Sequence, residues 1–331
     1  MEFNIEDYLN SLPLDTTEIN VSSKGLTYLP DLSRFKQLTK LDCSENQLSE
    51  LPPLNNNLKI LYCASNQLTE LPHLNKTLEI LDCSSNQLTE LPPLNDNLIY
   101  LICYDNQLTE LPPLNNNLTH LSCSGNQLTE LPHLNDTIIQ LDCSGNRLSE
   151  LPPLNNNLTQ LFCHHNQLTE LSPLNDNLTI LDCSSNQLTE LPPLNNNLTQ
   201  LYCFLNQLTE LPHLNDKLER LCCSSNQLTE LPHLNDKLER LYCFQNQLTW
   251  LPPLNNKLQF LDCSDNNIKN INNIIEILRN FRYTYYCLKF KKHFKMWLWE
   301  KVREPKIMAK FHPSHLTNLE ETDDLEVFLD N

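Results

Sequence analysis

Cysteine is the residue type whose spacing most directly suggests chemistry in this chain of 331 residues. Twelve of its 14 cysteines recur at a strict interval of 20 residues, and only Cys222 and Cys287 lie outside this series. The series, called the cysteine ladder below, consists of Cys43, Cys63, Cys83, Cys103, Cys123, Cys143, Cys163, Cys183, Cys203, Cys223, Cys243 and Cys263. Rungs about 4.8 Å apart would make disulfides conceivable, but a linear row does not bring four sulfurs to one zinc ion. Because free cysteine behaves as a small buried hydrophobe, we expect reduced core thiols, with Cys222 as the candidate exposed thiol of the array.

Histidine and glutamate also repeat, and both patterns favour solvated surfaces over a metal centre. The second proline of an LPP motif is replaced by histidine at four places, namely His73, His133, His213 and His233. His164 and His165 are adjacent but lack the spacing of a metalloprotease HExxH helix, so we expect no metal site there. Ten glutamates share one register from Glu50 to Glu230. They predict a solvated acidic edge, with a surface for a cation or a basic partner as the alternative.

Motifs of catalytic and nucleotide-binding sites are missing from the sequence. There is no GxxxxGK, GxSxG or HExxH, and the 3 glycines nearly exclude a phosphate-binding loop. The 41 acidic and 23 basic residues give a formal net charge of −18, which disfavours nucleic-acid binding across the whole surface. We therefore expect a protein that is not an enzyme and that uses no cofactor.

The element that must carry these residues is a repeated unit of 20 residues with the frame LxxLxCxxNxLxxLPxLxxx. In the copy that begins at Leu58, alternation predicts a short strand with Leu61 and Cys63 turned inward. Stacked copies would form a parallel sheet. The amide of Asn66 can satisfy turn backbone in neighbouring copies, and Pro72 favours an extended or polyproline-like return segment.

This frame resembles the short leucine-rich repeats of bacterial effector proteins, and the whole chain resembles uncharacterised leucine-rich repeat proteins of giant amoeba viruses. The resemblance covers about residues 19–270. It implies a repeat solenoid, a right-handed superhelix with a parallel β-sheet on its concave face and extended or polyproline-like return segments. It also implies a non-catalytic scaffold that binds a partner protein through the concave face.

Composition and pattern divide the chain into three parts. Residues 1–18 are expected to form an N-terminal cap, with a helix from Asn4 to Ser11 capped by Asn4. Residues 19–270 hold about 13 repeats, and residues 1–270 together carry 13 basic and 32 acidic residues. Residues 271–331 are expected to form a helical C-terminal cap and tail, which contains the basic segment 279–310.

Binding information should lie where the copies differ, which is the outward strand position and the position two residues later. These two positions change together along the array. Duplication of a two-repeat unit would explain this, as would aromatic stripes suited to protein recognition, and both can be true. The candidate partner-binding residues are Tyr104, Phe162, Tyr202, Phe204, Arg220, Arg240, Tyr242 and Phe244.

Three functions were weighed for the chain. In bacterial effectors similar repeats precede a ubiquitin ligase domain, but here only about 60 residues follow the array and Cys287 has no CxD arrangement. Protein recognition by the repeats is therefore the prediction, and a repeat spacer whose basic segment anchors nucleic acid or membrane is the alternative. The acidic N-terminus lacks an apolar signal region and no apolar run is long enough to span a membrane, so we expect a cytoplasmic protein.

Overall fold

The computed structural model describes residues 3–268, in which every repeat contributes one short parallel strand. The chain divides into two compact units, Met1–Leu198 (unit 1) and Thr199–Asn331 (unit 2). Unit 1 contains the helix α1 (Ile5–Ser11) and the strands β1 (Glu18–Asn20), β2 (Lys40–Asp42), β3 (Ile60–Tyr62), β4 (Ile80–Asp82), β5 (Tyr100–Ile102), β6 (His120–Ser122), β7 (Gln140–Asp142), β8 (Gln160–Phe162) and β9 (Ile180–Asp182). Unit 2 contains β10 (Gln200–Tyr202), β11 (Arg220–Cys222), β12 (Arg240–Tyr242) and β13 (Phe260–Asp262). The predicted parallel-sheet solenoid is confirmed.

Each strand is three residues long and buries its central residue, which is leucine in every strand except β1, where it is Ile19; β13 also buries Asp262. Leu61 of β3 is fully buried, whereas the flanking Ile60 and Tyr62 lie at the partly exposed outer face. Neighbouring strands pair without offset, so that Leu61 aligns with Leu81 and Tyr62 with Asp82. Because the repeat length is constant, equivalent residues form columns along each sheet.

The core is made of leucines and of the cysteine ladder. All twelve ladder cysteines are buried and reduced, as expected from the position they occupy in the frame. The return segments of the described repeats contain neither helix nor strand, in agreement with the prolines that recur there.

Two rows of asparagine amides connect successive turns of the solenoid. The Asn146 side-chain amide donates to the carbonyls of Cys123, Cys143 and Ser144 at 3.0–3.2 Å, and its oxygen accepts from the Leu128 amide at 3.0 Å. On the return side, Asn155 donates to the carbonyl of Asn135 at 2.8 Å. These buried amides satisfy backbone groups that no strand or helix serves, so their role is structural, as predicted for the row that contains Asn66 and Asn146.

The amino-terminal helix begins at the predicted cap. The Asn4 side chain accepts from the amides of Glu6 and Asp7 at 3.0 and 3.2 Å, and the two acidic side chains lie in the first turn of α1. Ile5 and Leu9 are the buried residues of this helix.

A left-handed residue occurs once in every repeat, two positions after the ladder cysteine. The φ angle there lies between 49° and 62° in the twelve repeats that contain a ladder cysteine, and the position is occupied by glycine only at Gly125 and Gly145. Serine, aspartate or another polar residue takes it in most of the other copies, which is the usual preference for this conformation.

The predicted C-terminal cap and tail, residues 271–331, and the basic segment 279–310 lie outside the described residues. Within residues 3–268 no helix is long and apolar enough to cross a membrane.

Candidate recognition face

The outward strand column and the column two residues later are coupled by hydrogen bonds. Where the first column holds aspartate, the second holds serine, and the Ser84 hydroxyl and amide both donate to Asp82 Oδ1, at 2.6 and 3.1 Å. The same arrangement occurs at Asp42–Ser44, Asp142–Ser144, Asp182–Ser184 and Asp262–Ser264. The two columns therefore change together because aspartate and serine form one local unit, an explanation that the sequence patterns alone did not suggest.

In unit 1 the two predicted partner-binding residues lie on separate strands. Tyr104 follows β5 and is exposed, and Phe162 at the end of β8 is partly buried between Asp142 and Asp182 of the neighbouring strands. Near Tyr104, the Tyr100 ring stacks on His120 with 4.4 Å between centroids. Burial lowers the pKa of His120, so this ring stays neutral at physiological pH.

In unit 2 the structure brings the other six predicted residues onto one sheet face. The face is built of columns that cross β10 to β13, with Arg220 aligned with Arg240, and Tyr202 with Cys222 and Tyr242. The name aromatic–arginine face is used below for the following set of residues: Tyr202, Phe204, Leu205, Arg220, Arg240, Tyr242, Phe244 and Phe260.

One end of this face is held by a chain of hydrogen bonds. Arg220 Nη1 donates to the Tyr202 hydroxyl at 2.9 Å, and that hydroxyl donates to Gln200 Oε1 at 2.9 Å. The hydrogen bond to Tyr202 raises the pKa of Arg220, which keeps the guanidinium charged. The guanidinium and the ring are thus positioned before any ligand arrives.

The other end is held by ring stacking. The Tyr242 ring stacks on Phe260 with centroids 4.5 Å apart, and Arg240 lies on the same strand two residues before Tyr242. Burial is the main reason that the pKa of Tyr242 is raised, so the phenol remains protonated.

Two members of the face were not among the predicted residues. Leu205 is 50% exposed and adopts the left-handed conformation with φ 54°, which is unfavourable for a bulky side chain. Its signal in the sequence is a leucine at a position where most copies have a small or polar residue. Phe260 could have been found as the one phenylalanine in the first strand column.

Cys222 interrupts the aspartate–serine arrangement within this face. It stands where other copies have aspartate, and the hydroxyl of the buried Ser224 has no hydrogen-bond partner among the described residues. Cys222 is partly exposed, unlike the ladder thiols, as predicted.

The ladder thiols are chemically suppressed by their surroundings. Burial raises the pKa of Cys43 to about 12, and that of Cys163 still further. A thiolate is the form that attacks electrophiles and binds metals, so these side chains are inert in the native fold.

The histidines and glutamates that the sequence singled out do not cluster into a metal site within residues 3–268. The His164 Nδ1 atom lies 3.4 Å from Asp182 Oδ2, and the His164 ring meets that of His165 edge-on. No group of three or more metal-ligating side chains occurs within residues 3–268. The glutamates from Glu50 to Glu230 are exposed in a row, and Trp250 at the end of the row is 49% exposed.

Comparison with solved structures places this geometry in a family. The chain is 31% identical to the leucine-rich effector protein YopM from Yersinia pestis, covering 80% of this chain and 81% of that chain with a TM-score of 0.72. The chain belongs to the leucine-rich repeat family. A family model described as Leucine Rich Repeat matches residues 77–95 and 177–198. A comparison with curated protein sequences found no match.

Two further leucine-rich repeat structures are similar. YopM from Yersinia enterocolitica is 37% identical with a TM-score of 0.71; the match covers 78% of this chain but spans only 62% of that protein's length. The functional domain of InlJ from Listeria monocytogenes, described as including a cysteine ladder, is 30% identical with a TM-score of 0.54, covering 78% of this chain and 70% of that one. The predicted likeness to bacterial effector repeats is thereby confirmed.

Proposed function

We propose that the chain is a non-catalytic scaffold that binds a partner protein through the sheet side of its repeats, mainly through the aromatic–arginine face. The observation that carries the proposal is the concentration of ordered, partly exposed rings and guanidinium groups on β10 to β13. Tyrosine and arginine are enriched among the residues that dominate binding energy in protein interfaces.

The two sides of the solenoid differ in the information they can carry. The return side repeats LTELPPLNNN with few changes, so it offers nearly the same surface in every copy. The sheet side changes residue type from strand to strand. A partner can therefore be distinguished from other proteins only by the sheet side.

Further features support a scaffold in the cytoplasm. Buried thiols that remain reduced at neighbouring rungs suit a reducing compartment. Leucine-rich repeat relatives of the YopM kind are typically scaffolds without catalytic activity, which favours the same role here. The likeness to proteins of giant amoeba viruses, and with it a host-cell location, stays a prediction from the sequence.

The test is alanine substitution on the two sides of the solenoid. Once affinity purification has identified a partner, Ala at Tyr202, Phe204, Tyr242 or Phe244 should weaken binding, by about 30-fold for a central ring. Control substitutions to Ala at His73, His133 and His213 on the return side should leave the affinity unchanged, and thermal unfolding should verify that each variant is folded. Loss of binding in the histidine variants but not in the aromatic variants would refute the assigned face.

A further inference from the structure

Two arginines stand next to each other on the sheet face of unit 2, and neither has a carboxylate partner within residues 3–268. Arg220 and Arg240 are aligned on β11 and β12, and neither forms an ion pair within the described residues. Strands in a sheet lie about 4.8 Å apart, so like charges aligned across them repel each other. A repelling pair of this kind gains energy when an anionic group binds to both.

One of the two guanidinium groups is positioned by a phenol, and both keep unused donors within residues 3–268. Arg220 donates to the Tyr202 hydroxyl at 2.9 Å, and Arg240 is aligned between Arg220 and Phe260. A guanidinium has about five N–H donors in a planar fork that matches a carboxylate. Because Tyr202 already restrains Arg220, less conformational entropy is lost when a ligand binds.

The surroundings of the pair favour a short peptide over a polyanion. Residues 199–268 contain eight acidic and five basic residues, which would repel the repeated charges of a nucleic acid. Beside Arg240, the stacked pair Tyr242–Phe260 supplies apolar surface. This combination suits one or two carboxylates followed by an aromatic or aliphatic side chain.

We propose that the aromatic–arginine face binds an acidic peptide segment of a partner protein, with Arg220 and Arg240 holding its carboxylates and the neighbouring rings holding an adjacent apolar residue. The proposal rests on the proposed protein-binding function and specifies the chemistry of the partner. Cys222 lies between Tyr202 and Tyr242 in the adjacent column. With cysteine there, β11 lacks the aspartate that several other copies, including β13 with Asp262, carry and that would compete for the arginines.

The experiment selects binders from a library of random displayed peptides on the immobilised full-length protein. The affinity of each selected peptide, called a winner below, is then measured by fluorescence anisotropy. The proteins compared are the wild type, R220Q/R240Q, R220K/R240K and the return-side control H213A/H233A. Each selected peptide is also made with Asn and Gln in place of Asp and Glu. Single-stranded DNA and a synthetic peptide of residues 319–331, the acidic end of this chain, serve as rival ligands.

The expected winners carry Asp or Glu next to an aromatic or aliphatic residue. Their affinity should fall about tenfold or more in R220Q/R240Q and in the amide peptides, recover in part in R220K/R240K, and stay unchanged in H213A/H233A. Neutral winners that bind the wild type and R220Q/R240Q equally but lose affinity in Y242A would overturn the acidic preference and leave the protein-binding face standing.

Other results would overturn the proposal in different ways. Winners that lose affinity only in H213A/H233A, or no enrichment over an unrelated immobilised protein, would count against both the acidic ligand and the recognition face. Tighter binding of DNA, or of the peptide 319–331, than of any selected peptide would assign the face to a different occupant.

Discussion

Ser224 offers a sharp test of how the outward columns are stabilised. Its hydroxyl is buried and has no hydrogen-bond partner in the described part of the chain, whereas the equally buried hydroxyl of Ser84 donates to Asp82 at 2.6 Å. The difference arises because Cys222 stands where the other copy has Asp82. The matched substitutions Ser84→Ala and Ser224→Ala remove the same atom from a satisfied and from an unsatisfied site.

The two changes should have opposite signs. A hydrogen bond to a charged acceptor contributes roughly 1.5–3 kcal/mol net, so Ser84→Ala should lower the free energy of unfolding by about 1.5 kcal/mol, because Asp82 is partly exposed. Ser224→Ala removes a buried group without a partner and should leave stability unchanged or raise it by up to about 1 kcal/mol. Cys222→Asp supplies the missing acceptor, and in that background Ser224→Ala should cost about 1.5 kcal/mol.

The measurement must be local because a long repeat array does not unfold in one step. Urea denaturation would therefore be combined with hydrogen exchange of the peptides around β4 and β11 in each variant. The double-mutant cycle between Cys222→Asp and Ser224→Ala isolates the pair. If Ser224→Ala destabilised the wild-type protein as much as Ser84→Ala does, the reasoning about the unpartnered hydroxyl would be refuted.

Further predictions concern the thiols, the amide rows and the left-handed column. Thiol reagents should label Cys222 of the native protein first and the ladder slowly; rapid labelling of most ladder cysteines without unfolding would contradict their inward orientation. Burial raises the pKa of Cys43 to about 12, whereas the thiols of the unfolded chain lose their protons from about pH 8.5. The free energy of unfolding should therefore fall as the pH rises between these two values. A urea midpoint that stays constant over this range would be inconsistent with buried thiols. Asn146→Asp replaces the amide that donates to three carbonyls, so it should lower the free energy of unfolding measured in urea by about 3 kcal/mol. Asn156→Asp, at an exposed position, should change it by less than about 0.5 kcal/mol. Equal effects of the two substitutions would argue against a structural role of the amide row. Leu205→Gly should raise the free energy of unfolding by about 0.5–1 kcal/mol, because backbone strain is relieved, and should weaken partner binding. The thermal midpoint should rise accordingly; a loss of stability would show that Leu205 serves the fold.

The repeats, the strands and the amino-terminal cap could all be predicted from the sequence. A period of 20 residues places every equivalent side chain in the same environment, so a single copy such as that starting at Leu58 shows which residues face the core. Asn4 could be identified as a helix cap because its short side chain precedes two acidic residues and an apolar pattern. These features depend on local sequence and on translation along one axis, and both can be read from the chain.

The details of the outward face could not be predicted in the same way. The hydrogen bond between Asp82 and Ser84 depends on a strand that ends between them, and the strained backbone of Leu205 depends on a turn geometry that the frame does not specify. The pairing of Arg220 with the Tyr202 hydroxyl depends on side-chain reach across neighbouring strands. Register predicts which residues are neighbours, but side-chain conformation decides which of them form bonds.

The irregular residues of unit 2 have a physical cost that helps to separate recognition from folding. Cys222 leaves a buried hydroxyl unpaired, Leu205 holds an unfavourable backbone conformation, and Arg220 and Arg240 repel each other. Aspartate in place of Cys222 and glycine in place of Leu205 would improve the stability of the fold. An oppositely charged neighbour would do the same for the two arginines. Three unfavourable choices on one face, in an array whose other copies mostly follow the stable pattern, are what the proposed binding role of this face would lead one to expect.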